Sequence, residues 1–423
     1  MVSEIVTLEG HIIDSRLLAA VLDDIVAADG EFTILEVHIG PSRLERSYAR
    51  IEVRAPSLPR LHELLKLIVR HGAIWQAPED AELAEADLDG CFPEDFYSTT
   101  NQRTFIRHGG EWHEVLDLEM DCGVRFDRHA GTFRCVPITH VRRGDTLVSG
   151  ERGIKVVPLD RPRSKGAFEF MNSEVSTEKP KNTVIRHCAR QMVELKRAGK
   201  RLALVGGPAI VHTGAVAHVE KLIERGFVHL LLAGNALATH DIEFALYGTS
   251  LGVYLEKATL ADAGHEHHLR AINTIRRNGG IAKAVESGVL NDGIMHACVT
   301  NKVPFILGGS LRDDGPLPDV ITDMLVAQDR MRAALRDIGF VLMVATTLHS
   351  IAVGNMLPAW IPVVCVDISP SVITKLADRG SFQTVGLVTD VEPFFNELLQ
   401  EIEALERGAP SKPRTRKRRS SGR

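Results

Sequence analysis

Paired cysteines are missing from this chain. Its 423 residues hold six, Cys91, Cys122, Cys135, Cys188, Cys298 and Cys365, and no spacing among them forms a CxxC pair, a zinc knuckle or a disulfide framework. That excludes the small disulfide-stapled class and points to a reduced, cytoplasmic protein with scattered thiols. Long apolar runs are missing too. No segment approaches the roughly 18 apolar residues of a membrane helix. The N-terminal MVSEIVTLEGHIID has neither the basic stretch nor the apolar core of a secretory signal, so no membrane partner is expected. Aromatics make up only 5% of the chain, and no basic stripe carries interleaved aromatics, so nucleic-acid binding is not its main task. Positive charge is concentrated at one end. The tail PSKPRTRKRRSSGR has seven Lys/Arg and no acid, and setting those seven charges aside takes the net charge from -5 to -12. By composition the tail is disordered. It reads as a solubilising extension capable at most of weak nucleic-acid contact.

What is present falls into three segments, in line with the two or three domains this length suggests. Residues 1–100 read as strand, helix (Ser15 as cap, Gly30 as stop), two strands and a second amphipathic helix between Ser57 and Gly72, with one more strand expected. That βαββα order suits a ferredoxin-like or ACT-like α+β unit. Residues 101–160 hold short strands with closely spaced glycines, as in a small β-barrel or folded-over sheet. Residues 161–182 are polar and interrupted by proline, and are expected to be a linker. Residues 183–407 differ in kind. The runs RLALVGG, VHLLLAGN, VPFILGG, FVLMVATTLHS, IPVVCVDIS and TVGLVTD alternate with helical patterns and are apolar throughout, as strands are when helices cover both faces of a parallel sheet. This predicts a doubly wound α/β domain, followed by the tail at 408–423.

Ligands of such sheets sit beyond the carboxyl ends of the strands. The first run ends in Gly206-Gly207, which is not the GxGxxG dinucleotide fingerprint but still lets a phosphate approach backbone N–H groups. The second run ends in Asn235-Ala236, followed by His240-Asp241, and the others end in Thr346-Thr347-Leu348-His349, in Asp367 and in Asp390-Val391. A strand-end acid can bind ribose hydroxyls or simply cap a helix, but together these ends favour a nucleotide site. The third run opens into FILGGSLRDDGPLPDVITD. There Arg312 suits a substrate carboxylate by bidentate pairing. Asp313 and Asp314 suit ammonium groups, a helix start or a hard cation. The cluster His265, His267, His268 reads as a solvated helix start rather than a metal site. Cys298 reads as an inert buried thiol, and Lys257 as either a surface lysine or a proton-transfer group.

Four stretches, PEDFYSTTNQRTFIRHGGEW, FILGGSLRDDGPLPDVITD, TTLHSIAVGNMLPA and VCVDISPSVITKLADRGSFQTVGLVTDV, resemble the LOR/SDH-domain family of archaeal-type ornithine cyclodeaminases. The same domain forms the C-terminal half of bifunctional arginine dihydrolase/ornithine cyclodeaminases. The resemblance runs from about residue 3 to about residue 400. It implies conversion of L-ornithine to L-proline and ammonia with NAD as a recycled cofactor. It also implies a deoxyhypusine-synthase-like NAD-binding fold and a homo-oligomer. The NAD contacts it implies fall on Asn235, Ala236, Asp314, Thr346, Thr347, Leu348, His349, Asp367, Asp390 and Val391. Within that reading Asp313 or Asp292 is the candidate base, Lys257 a proton shuttle and Arg312 the carboxylate clamp, with no metal. Two alternatives stay open: another NAD-dependent amino-acid dehydrogenase or lyase of the lysine/saccharopine type, and a non-catalytic NAD sensor.

Overall fold

The computed structural model describes residues 1–13, 17–41, 45–69, 71–75, 79–157, 181–254, 259–260, 264–313, 315–378 and 384–408. Ser15, the proposed linker residues up to 180, Lys257, Asp314 and the basic tail lie outside the described residues.

The first unit runs β1 (Val2–Gly10), α1 (Leu17–Ala27), β2 (Glu31–His38), β3 (Ser47–Ala55), α2 (Leu58–Val69), β4 (Ile74–Trp75). Its antiparallel sheet has the order β2-β3-β1-β4, the split βαβ arrangement of ferredoxin-like folds. Burial along β3 alternates strictly with the strand period, because one face packs Ile51 and Val53 against Val21, Ile25, Leu61, Leu64 and Ile68 of the two helices.

The second unit holds β5 (Glu82–Glu85), β6 (Arg103–His108), β7 (Glu111–Leu116), β8 (Gly123–Asp127), β9 (Thr132–Val136), β10 (Thr146–Ser149) and β11 (Ile154–Val157) in the order β11-β6-β7-β9-β8-β10-β5. The further strand expected in the first segment is β4, whereas β5, not read as a strand from the sequence, pairs with β10 here. The sheet folds over, and the Ala81 amide donates to the Arg107 carbonyl at 2.8 Å. Gly109 and Gly110, at φ 62° and 83°, make the two-residue β6–β7 turn, a conformation that side chains with a Cβ rarely adopt.

The third unit begins with α3 (Lys181–Arg197). It continues through β12 (Arg201–Gly206), α4 (Ala209–His212), α5 (Val216–Glu224), β13 (Leu230–Gly234) and α6 (Asn235–Tyr247). Three short strands follow, β14 (Thr249–Ser250), β15 (Val253–Tyr254) and β16 (Thr259–Leu260). Then come α7 (His267–Asn278), α8 (Ile281–Glu286), α9 (Ile294–Thr300), β17 (Phe305–Gly308), β18 (Val320–Ile321), α10 (Met324–Leu335) and β19 (Ile338–Val344). The unit ends with α11 (Thr347–Met356), β20 (Val363–Asp367), α12 (Pro370–Asp378), β21 (Thr384–Val388) and α13 (Val391–Arg407). The seven parallel strands lie in the order β18-β17-β13-β12-β19-β20-β21. From β12 the chain winds outward through β13 to β18. It then returns to the other side of β12 as β19, so the topological switch point lies between β12 and β19. Helices α3, α5 to α9 and α13 cover one face and α10 to α12 the other. The strand interiors are therefore apolar on both sides, as the sequence predicts.

The second unit docks on α10 and α11. Arg332 donates from Nε to both carboxylate oxygens of Glu119, at 3.0 and 2.8 Å. The Met120 amide donates to the Asn355 carbonyl at 2.9 Å, and the Ala359 amide to the Asn101 carbonyl at 2.7 Å.

Candidate functional site

Register brings Gly206, Gly234, Gly308, Val344 and Asp367 to one edge of the parallel sheet. At the switch point the backbone approaches itself closely. The Gly207 amide donates to the Val344 carbonyl at 2.9 Å, and a Cβ on Gly207 would fall on the carbonyl oxygen of Ala345. Ala345 itself has a φ of 55°, a left-handed conformation uncommon outside glycine and one that clusters at functional sites. Next along the chain, His349 turns its ring over two glycines. A Cβ on Gly234 would meet its Cε1 at 3.0 Å, and one on Gly308 its Nε2 at 3.4 Å. Burial lowers the pKa of His349, so the ring is neutral at neutral pH.

Asn235 organises the opposite side. Its Nδ2 donates to Asp313 Oδ1 at 3.1 Å, while its Oδ1 accepts from the Leu317 amide at 3.1 Å and from Thr239 Oγ1 at 3.2 Å. Asp313 also accepts from the Ser310 amide through Oδ2 at 2.8 Å. Both of its oxygens are thus committed to holding the 309–317 loop. Arg312 is exposed, and among the described residues its guanidinium has no ion-pair partner. Asp367 closes β20 with its carboxylate accepting from the Ser369 amide at 2.8 Å.

Three helices, α6, α11 and α13, start at this edge behind Gly234, Thr346 and Asp390, and none of the three caps accepts a helix amide through its side chain. By contrast, Asp323 caps α10 through two such bonds. Ala236, Thr347, Leu348 and Val391 sit in the first turns of these uncapped helices, where free N–H groups and the helix dipole favour an anion. Leu348 is 79% exposed, an apolar side chain open to a flat ligand. Glycine backbone at the switch point, uncapped helix starts and an acid ending β20 together fit a dinucleotide.

Asp292 lies elsewhere. It is exposed before α9, and its Oδ1 accepts from the Gly293 amide at 3.0 Å. The same amide donates to Glu220 at 2.8 Å. Asp241, fully buried, accepts from the Ile294 and Met295 amides, each at 2.8 Å. This acidic group secures the start of α9, and no described contact links Asp292 to Asp313. Burial first, then the neighbouring carboxylates Glu220 and Asp292, push Asp241 up to about 7 against its two amide bonds. An acid whose folded pKa exceeds its unfolded value of about 3.9 stabilises the fold when protonated. That stability is fully present below pH 4 and lost as pH rises through 7. Asp241→Asn should therefore flatten the stability difference between pH 5 and pH 8, which has an upper bound of about 2.7 kcal/mol, about 1.4 kcal/mol for each of the two pH units below its folded pKa. Urea unfolding at both pH values measures it, and an unchanged slope in the variant would assign the dependence to other groups.

Sequence reasoning singled out His240-Asp241 after the second strand run but did not find the Glu243 carboxylate behind them on α6. Glu243 is fully buried, and four donors surround its carboxylate: His240 Nδ1 (3.0 Å), Thr249 Oγ1 (3.0 Å) and the amides of Gly252 (2.9 Å) and Leu251 (3.3 Å). His267 is not simply solvated, since its Nδ1 lies 2.8 Å from Thr249 Oγ1 and its ring stacks on Tyr247. His265 is exposed as expected, and no metal-holding group of His, Cys, Asp or Glu occurs among the described residues. Cys298 is buried, and its thiol is pushed up by burial, so it is inert.

A doubly wound sheet with its glycine-lined switch point and uncapped helix starts defines an α/β protein of the dinucleotide-binding class. Comparison with known proteins narrows the class. Residues 186–398 match the family described as arginine dihydrolase ArgZ-like, C-terminal, Rossmann fold. Residues 103–185 match the first region of the same C-terminal part, and residues 3–102 the LOR/SDH bifunctional enzyme conserved region. The chain belongs to this LOR/SDH and ArgZ-like family. It is 53% identical over 401 residues to an ornithine cyclodeaminase of Methanothermobacter thermautotrophicus, covering 95% of this chain and 98% of the relative. Its fold is similar to that of ArgZ, an arginine dihydrolase of the cyanobacterial ornithine-ammonia cycle, with a TM-score of 0.84, 35% identity and coverage of 96% of this chain and 59% of that one. It is also similar to AgrE in its ternary complex with ornithine and NAD+, with a TM-score of 0.52, 39% identity and coverage of 96% and 58%.

Proposed function

We propose that this chain is an NAD-dependent ornithine cyclodeaminase, converting L-ornithine to L-proline and ammonia. The observation that carries the reading is 53% identity across nearly the whole length of a relative of that name. The switch-point geometry supports it independently. When bound, NAD supplies a reversible hydride acceptor, which accounts for its being recycled rather than consumed. The residues that would hold it are Asn235, Ala236, Thr346, Thr347, Leu348, His349, Asp367, Asp390 and Val391, together with the Gly207 backbone.

The chain's own groups bind, orient and enclose the substrate. Asn235 and Asp313 hold the 309–317 loop in place against β13 and α6. Arg312, at the tip of that loop, offers a planar pair of donors to the ornithine carboxylate. The neutral His349 ring fills the space over Gly234 and Gly308 and keeps water from the strand ends.

The test is incubation with L-ornithine and a catalytic amount of NAD. Equal proline and ammonia without accumulating NADH is the expected result. Stoichiometric NADH would make the protein a dehydrogenase instead, and NAD binding without turnover a sensor. Arg312→Ala should raise KM for ornithine at least tenfold with kcat little changed, as loss of one charge-assisted contact implies. Steady-state kinetics decide it, and an unchanged KM removes Arg312 from the carboxylate site.

A further inference from the structure

The buried Glu243 bonds to His240, Thr249, Leu251 and Gly252, and to none of the groups described above at the dinucleotide edge. A fully buried carboxylate costs several kcal/mol unless its partners repay the loss of water, so its four donors call for an explanation. Burial alone would raise its pKa, but the bonds from His240, Gly252 and Thr249 outweigh burial and hold it below the usual value, so it is ionised. An ionised carboxylate only accepts, so His240 donates from Nδ1 and keeps the lone pair of its Nε2. Among the described residues that nitrogen has no partner, and the His240 side chain is 13% exposed.

Three further groups surround the pair. The His212 ring, at the end of α4, meets the His240 ring edge-on at 4.8 Å. Its Nδ1 lies 2.6 Å from Ser250 Oγ. Burial first, then the neighbouring His240, bring His212 down to about 4, so it stays uncharged. Thr249 gives its only proton to Glu243 and must therefore accept from His267 Nδ1–H. Glu243, His212 and, through Thr249, His267 are the titratable groups facing His240 from α6, α4 and α7.

Position ties this cluster to the strand ends. His212 closes a four-residue helix that begins two residues after Gly207, and α4 packs on α6. His240 follows Thr239, which is bonded to Asn235, and lies about 7.5 Å along the helix axis from Asn235. It has the arrangement of a histidine oriented by a carboxylate to receive a proton.

We propose that His240, oriented by Glu243 and flanked by His212, is the proton acceptor for the ammonium group of the diamino-acid substrate. This rests on the cyclodeaminase reading. Ornithine arrives with its δ-nitrogen as an ammonium, which has no lone pair and cannot form the ring bond. The δ-ammonium gives one proton to His240 Nε2, leaving a neutral amine and an imidazolium whose charge Glu243 balances. With the α-carbon at the imine level, which the reversible hydride acceptor of the cyclodeaminase reading would supply, the amine nitrogen bonds to that carbon, the bond to the α-nitrogen breaks, and the imidazolium proton leaves with that nitrogen as ammonium. Return of the lent hydride to the ring carbon restores the oxidation state, so protons, charge and electrons balance with no reactant beyond the recycled NAD.

The experiment compares wild type, His240→Gln and Glu243→Gln as full chains with NAD and L-ornithine. Proline formation is followed from pH 5 to pH 10, and NAD affinity and Tm are measured on each. His240→Gln should keep NAD affinity and Tm while kcat falls 10²- to 10⁴-fold and the acid limb of kcat/KM disappears. Glu243→Gln should retain that limb but move it to lower pH, because the imidazolium loses its counter-charge; a purely structural carboxylate would leave the limb in place. Full kcat in His240→Gln, or a loss of NAD affinity equal to the loss of turnover, overturns the proposal. A wild type that forms no proline overturns the functional reading and this inference together, whereas an active wild type with an unaffected His240→Gln overturns the inference alone.

Discussion

Gly207→Ala is expected to lose NAD affinity by at least a hundredfold while the first two units stay folded. At most glycines a methyl group is absorbed by a shift of neighbouring side chains. Here it lands on a backbone carbonyl oxygen, that of Ala345, which cannot rotate away without breaking its own place in the sheet. The Ala345 amide donates to the Val366 carbonyl at 3.0 Å and the Gly207 amide to the Val344 carbonyl at 2.9 Å. Relief must therefore come from separating β12 and β19 at their carboxyl ends, where the dinucleotide would lie. Overpacking of this kind costs about 1–3 kcal/mol in stability, and the larger effect falls on binding because the distortion is concentrated at the site. Isothermal titration with NAD and a thermal melt separate the two, and near-normal affinity in the alanine variant would show that the dinucleotide does not use the switch point.

The second large effect is expected at the contact between units. Glu119 is only 7% exposed, and burial raises its pKa against the opposing pull of Arg332. Arg332→Ala removes the guanidinium and leaves the carboxylate buried without its counter-charge, a loss of about 3–5 kcal/mol. The sign of its pH dependence follows. A carboxylate left alone in a buried site takes a proton more readily, so the deficit should shrink on acidification from pH 8 to pH 5. Arg332→Met with Glu119→Leu should recover most of the loss, because the pair is then replaced by apolar groups of similar size. Denaturant unfolding of the single and double variants measures this, and a single variant within 1 kcal/mol of wild type would mean that solvent reaches Glu119.

Sequence pattern carried the α/β unit well because its strands are buried on both faces and read as unbroken apolar runs. The ferredoxin-like unit was legible for the opposite reason, since one buried face gives β3 its alternation. The strand expected after the second helix is β4, paired with β1, while β5 was not read as a strand at all, because its pairing with β10 is a long-range choice that four residues do not announce. Asn235, His349 and Asp367 were visible as strand ends. Asp313 was visible as a residue, but its two loop-bracing bonds were not, since they depend on where Asn235 and the Ser310 amide come to lie. The Glu243 group was missed although a signal exists. Asp241 and Glu243 are two residues apart on one helix, so they point about 200° away from each other, and a helix packed between a sheet and other helices cannot turn both to water.

Helix α6 starts at Asn235 with no connecting residue after Gly234, the last residue of β13. It carries Asn235 towards the loop, Asp241 towards α9, and His240 with Glu243 towards α4 and β14. Length is therefore the rigid constraint on this segment. One residue inserted between Asn235 and His240 would swing everything beyond it by about 100°, parting three sets of contacts at once. Directed insertion along the chain should find α6 intolerant over a stretch where conservative substitutions at its half-buried positions, such as Ala245, have small effects.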